Sequence, residues 1–124
     1  MASAVRQAIS HSSGSTLNIK WTLTDADPIG DWVELPVGMD RSIHVIFQAG
    51  SGTITIQGTN EPVAAPSNPR TLAGYAEDGN SLSGLTFSSG GLRQVLTMSL
   101  KIRPQLTGAS GATIAVYLMT KGGD

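Results

Sequence analysis

Hydrophobic and polar residues alternate along most of this chain. In "LNIKWTLTD" (17–25), Leu17, Ile19, Trp21 and Leu23 fall on one side, with Asn18, Lys20, Thr22 and Thr24 on the other. A two-residue period is that of a β-strand with one buried face. "SIHVIFQ" likewise groups Ile43, Val45 and Phe47, "TITIQG" groups Ile54 and Ile56, and "TIAVYL" groups Ile114, Val116 and Leu118. "DWVEL" predicts a further short strand beginning at Trp32. In "LRQVLTMSLKIR", Val95 and Leu96 are adjacent while Met98, Leu100 and Ile102 alternate, so a long strand with a bulge near Val95 is predicted. No window sustains a helical period.

Turn chemistry separates these runs: Asp-Pro, Ala-Gly-Ser-Gly, Ser-Asn-Pro, Asp-Gly-Asn and Gly-Ala-Ser-Gly. Short strands punctuated in this way predict an all-β, antiparallel β-sandwich or a small barrel. The last patterned stretch, "LKIRPQLTGASGATIAVYL", is expected to form a hairpin. Pro104 has no backbone N–H and is expected to end its first strand. Residues 107–112 then turn, and residues 112–120 return antiparallel. On that reading Ile102 and Ile114 face inward, while Lys101, Arg103 and Tyr117 face outward. Arg103 is a charge at the sheet rim or a contact to a partner.

At 124 residues the chain fits one domain with a modest core. Residues 1–16, "MASAVRQAISHSSGST", hold a single Lys or Arg, Arg6, and no apolar run of export-signal length. They read as a flexible, extended N-terminal arm ahead of a β-sandwich domain at 17–124. Charged residues are 14% and the formal net charge is -1, which argues against nucleic acid or a membrane surface as partner. The absence of cysteine excludes disulfides, thiolate metal sites and cysteine nucleophiles.

Reactive constellations are missing too. His11 and His44 stand in different contexts, and no zinc-binding spacing, G-x-S-x-G elbow or phosphate-binding glycine loop occurs. The one metal candidate is "DADPIGD", with Asp25, Asp27 and Asp31. As a calcium loop it would need side-chain ligands where Ile29 and Pro36 stand, so a strand-connecting turn is the stronger reading. No cofactor, metal or catalytic residue is expected, and the protein is not expected to be an enzyme. Of the six aromatics, Trp21 and Phe47 belong to apolar faces, whereas Trp32, Tyr75 and Tyr117 are candidates for an exposed stacking platform.

Three segments carry a resemblance. "TITIQGTNEP" (53–62), "DGNSLSGLTFSSGGLRQVL" (78–96) and "LKIRPQLTGASGATIAVYL" (100–118), with "DWVELP" upstream, resemble the pattern of capsid cement, or decoration, proteins of tailed bacteriophages. Where that pattern has a short Asp-Gly-x-x-Trp stretch, this chain carries "EPVAAPSNPR". The resemblance implies a jelly-roll-like sandwich, made in the host cytoplasm, that binds the exterior of the virion capsid and stabilises it. It implies the major capsid protein as partner. Separately, a small sandwich has exposed edges that symmetric pairing covers, so self-association as a homodimer, or alternatively a homotrimer, is expected. Arg6, Trp32, Arg103 and Tyr117 are the expected capsid or subunit contacts. The competing reading is a carbohydrate-binding or tail-appendage module on the same sandwich.

Overall fold

The computed structural model describes residues 3–4, 7–9, 16–34, 40–76 and 81–121. In chain order its strands are β1 (Ser3–Ala4), β2 (Gln7–Ile9), β3 (Thr16–Thr24), β4 (Ile29–Gly30), β5 (Val33–Glu34) and β6 (Asp40–Thr59). There follow β7 (Arg70–Thr71), β8 (Ala73–Tyr75), β9 (Leu82–Gly84), β10 (Thr86–Phe87), β11 (Gly91–Val95) and β12 (Lys101–Lys121). The fold is all-β, and all strands join one sheet, antiparallel except for the β1–β4 pair.

β6 and β12, at 20 and 21 residues, are several times longer than an ordinary strand of about 5–6. They pair along their whole lengths, from Lys101 opposite Thr59 to Lys121 opposite Asp40. This corrects two expectations. "SIHVIFQ" and "TITIQG" are halves of one strand, and the stretch expected as a hairpin over 100–118 is instead a single bent strand, Lys101–Lys121. The glycines expected to turn the chain back only bend it. Gly50, Gly108 and Gly111 have φ of 71°, 60° and 58°, a backbone region that side chains disfavour. The register shifts three times, between Thr107 and Ser110, between Ser110 and Thr113, and between Thr113 and Ile114. A Cβ on Gly50 would lie 2.3 Å from the Gly111 carbonyl oxygen, so the two backbones cross there in contact.

Beyond the bend the ribbon enters a second layer. In the first layer β3, the end of β12, the start of β6, β11, β8 and β9 lie side by side, with β2 on the free edge of β3. In the second, β4 and β5 flank the start of β12, while β7 and β10 flank the end of β6. The inner faces close on one core that includes Trp21, Ile43, Val45, Ile54, Ile56, Leu85, Ile102, Ile114 and Leu118. Ile102 and Ile114 both face inward, as the alternation predicted. Phe47 packs against this core from a partly buried position.

Pro104 does not end its strand: it sits opposite Ile56 inside β12. The Leu106 N–H donates to the Pro28 carbonyl on the β4 side, at 2.7 Å. Backbone donors alternate sides along a strand, so the N–H that Pro104 lacks would also face that side. It would point between β4, which pairs at Gln105, and β5, which pairs at Ile102. No ladder bond is lost, and Gly30 leaves room for the ring.

"LRQVLTMSLKIR" is two strands and not one bulged strand. β11 stops at Val95, and residues 96–100 cross between the layers, leaving Leu96 and Met98 exposed. The crossing is tied down at three points. The Leu96 N–H donates to the Ala73 carbonyl, the Leu100 N–H to Asn60 Oδ1, and Arg41 Nη1 to the Ser99 carbonyl at 2.8 Å. Lys101, expected in solvent, is buried, and its ammonium donates to the Val63 carbonyl in the loop over residues 60–69. Within the segment expected as an arm, β1 pairs with β4 and β2 with β3. Arg6 lies outside the described residues.

Candidate functional site

The outer face of the first layer is organised by register into ranks that cross the strands. The central rank is Lys20, Tyr117, His44 and Leu92. On one side of it lie Asn18, Met119, Ser42 and Gln94, and on the other Thr22, Ala115 and Ile46. Val95 pairs with Gly74 and Tyr75 with Leu82, so Tyr75 and Leu82 continue the Gln94 rank outward. A solvent-facing sheet ordinarily carries polar residues at these positions. Here Leu82 is 63% exposed, Leu92 57%, Met119 43%, and Ile46 and Tyr75 37% each. Five of the eight large hydrophobics exposed among the described residues therefore share this one face.

The face is hollowed at its centre. Asn18, Ser42, His44, Ile46, Leu92, Tyr117 and Met119 line a depression of about 480 Å³. The Tyr117 ring lies 6.1 Å from the His44 ring, tilted by 39°. The Lys20 ammonium sits 5.6 Å from the centre of the Tyr117 ring, within cation–π range. Asn18 Oδ1, at the margin, is buried and accepts no hydrogen bond.

The outer face of the second layer is different in kind. Its ranks read Ile29, Gln105, Thr55, Thr86 and then Arg103, Gln57, Thr71, with Thr107 and Thr53 beyond. Arg103 lies here, half-buried. Its guanidinium carbon stands 4.4 Å from the centre of the Trp32 ring, and its Nε donates to Gln57 Oε1 at 2.9 Å. Burial lowers its pKa from the usual arginine value. Trp32 and Arg103 thus form one cluster, while Tyr117 belongs to the opposite side of the sandwich. Trp32, Tyr75 and Tyr117 do not assemble into one stacking platform.

Two carboxylates of "DADPIGD", those of Asp25 and Asp31, serve the chain's own frame, while Asp27 takes part through its backbone. Asp25 Oδ2 accepts the Gly111 N–H at 3.0 Å and Oδ1 the Ala112 N–H at 2.8 Å, which caps the bend of β12. The Asp27 N–H donates to Thr24 Oγ1. Asp31 accepts Trp21 Nε1–H through its carboxylate at 2.9 Å and its carbonyl at 3.1 Å. Among the described residues no three acidic or histidine side chains gather as a metal would require.

Two organising side chains escaped sequence reasoning. Arg93 is buried and donates through Nε to the Tyr75 carbonyl, through Nη1 to the Gly84 carbonyl and through Nη2 to Ser83 Oγ. It locks the β8–β9 hairpin to β11. Glu61 accepts the Asn68 N–H at 2.8 Å and the Ser67 N–H at 3.1 Å, which shapes the proline-rich loop. These bonds, that from Asn68 first, hold its carboxyl below the usual glutamate value. The signal for Arg93 was available: it is the inward member of the alternation in "LRQV".

No protein-family model matches the sequence, and no curated protein is significantly similar to it. Among solved structures, the crystal structure of SPBc2 prophage-derived protein YomS is similar, with a TM-score of 0.61. The match covers 90% of this chain and 100% of that one at 9% sequence identity. At that identity the likeness concerns the fold.

Proposed function

We propose that this chain is a structural protein of a phage particle, a cement protein that attaches to the exterior of the capsid and stabilises it without catalysis. One observation carries the reading: several of the side chains that could do chemistry are engaged within the protein's own frame. Asp25, Asp31, Glu61 and Arg93 all hold loops or strands in place. What remains for function is two broad sheet faces, which suit binding. The likeness in fold to a prophage-derived protein, and the sequence pattern shared with phage cement proteins, support the same reading.

In this proposal the polar face around Trp32 and Arg103 meets the major capsid protein. A guanidinium stacked on an indole is already ordered, so little further entropy is lost when a partner's carboxylate or carbonyl docks on it. The test adds purified protein to shells that lack it. The expected result is saturable binding with raised resistance to heat and osmotic shock. Trp32→Ala and Arg103→Ala should weaken retention while the free protein stays folded. Failure to bind such shells would overturn the reading.

A further inference from the structure

We propose that the outer face of the first layer is a homodimer interface, on which a second copy of this chain packs sheet against sheet about a two-fold axis. This does not rest on the capsid reading.

The molecule supplies its own comparison. The outer face of the second layer carries threonine and glutamine at the outward positions of β6 and β12, as a wet sheet surface should. The same two strands, past their shared bend, carry Ile46, Tyr117 and Met119 beside Ser42 and His44 at the outward positions, with Ala115 there fully covered. Strand type and pairing partner are the same in both halves, so the change in outward residues marks a difference in what the two faces meet. Contiguous exposed apolar surface on a folded domain marks an interaction site.

Size, charge and shape favour a second copy as the occupant. The face spans six strands, β3, β12, β6, β11, β8 and β9, and three ranks. The widest rank crosses all six strands and the other two cross four and three, so at about 4.8 Å between strands and about 6.8 Å between ranks the face covers roughly 400 Å² of flat sheet, and more as corrugated accessible surface. A standard stable interface removes about 800 Å² from each partner, which is the same scale. The outward register positions of β3, β6, β11 and β12 here hold three charges, Lys20, Asp40 and Lys121, with both signs present, so two copies meet little net repulsion. The face also carries both halves of a fit. Leu92, 57% exposed, is itself part of the wall of the central depression of about 480 Å³, so two copies related by a two-fold axis can each bring an apolar side chain to the other's hollow. That reciprocity defines an isologous contact.

The experiment is sedimentation velocity on the full chain over a concentration series. The wild type is compared with Leu92→Lys, Ile46→Lys and, on the polar face, Thr86→Lys. All three substituted positions are exposed, so each variant should keep the wild-type circular dichroism and a cooperative melt. The wild type should sediment as a dimer. Leu92→Lys and Ile46→Lys should weaken dimerisation by about tenfold or more, since each buries an unpaired charge. Thr86→Lys should leave it unchanged. A wild type that stays monomeric at hundreds of micromolar overturns the proposal, as does a trimer or a dimer indifferent to both face-one lysines. A monomer whose Leu92→Lys variant loses shell binding would also overturn it, and would give the face to the capsid.

Discussion

Gly30 and Pro104 share a single gap in the sheet. A Cβ on Gly30 would stand 2.6 Å from Pro104 Cδ, 2.8 Å from its Cγ and 2.8 Å from Trp21 Cδ1. None of these neighbours is the end of a flexible side chain. Gly30→Ala should therefore destabilise the fold by about 1–3 kcal/mol, the usual cost of overpacking. Adding Pro104→Ala should recover part of that loss. Chemical denaturation of the two single variants and the double variant checks this through the coupling term, and strict additivity would show that the ring is not the obstacle.

Ile102 and Arg103 are neighbours with opposite roles. Ile102 is fully buried between the layers, and Ile102→Ala should cost about 2–5 kcal/mol. Arg103 loses only its stack on Trp32 and its bond to Gln57, and Arg103→Ala should cost about 1 kcal/mol or less. Thermal melts separate the two, and an early-melting Arg103→Ala would show that the cluster is part of the core's support.

Asp25 holds the bend of β12 through two backbone donors. Asp25→Ala should leave both N–H groups to water and cost about 1 kcal/mol. Calcium or a chelator should not shift the melting temperature of the wild type. A calcium-dependent rise that Asp25→Ala abolishes would contradict the capping role.

Glu61 gives the loop a pH dependence of known sign. Its carboxyl lies below the usual glutamate value in the folded protein, chiefly because the Asn68 N–H bonds to the ionised form. The order it confers is therefore complete above the ordinary glutamate range and is lost as pH falls through the folded value. Hydrogen exchange of the Ser67 and Asn68 amides should accelerate on acidification beyond its intrinsic trend. Glu61→Gln should remove that dependence.

The sequence made the faces legible along most of the alternating runs, though Met98 and Leu100, which alternate with Ile102, lie in a crossing and not in a strand. Ile19, Trp21 and Leu23, then Ile54 and Ile56, then Ile114, Val116 and Leu118 all point where a two-residue period puts them. It misled at glycine and proline, because the same residues that end strands also permit bends and gaps within them. Gly108 and Gly111 look alike whether a chain reverses or only changes layer, and the outcome depends on β6 bending beside them. Pro104 is tolerated because of where β4 stops and β5 begins, a relation that no local window contains. The apolar outer face was hidden for another reason. Ile46, Leu92 and Met119 are scattered in sequence, and only the register of β6, β11 and β12 collects them.

The shared ribbon also sets the order of assembly. β6 depends on β12 for a partner in both layers, and Arg41 waits for Thr120 while Thr59 waits for Lys101. Such distant pairings carry a high loop-closure cost before any contact offsets it, so folding should be slow for a domain of this size. Neither layer can close on its own, because each borrows its central two strands from the other. During synthesis β6 therefore leaves the ribosome with one long edge unpaired, and it stays so until residues 101–121 follow. That interval is when the chain is most open to mispairing with its own kind.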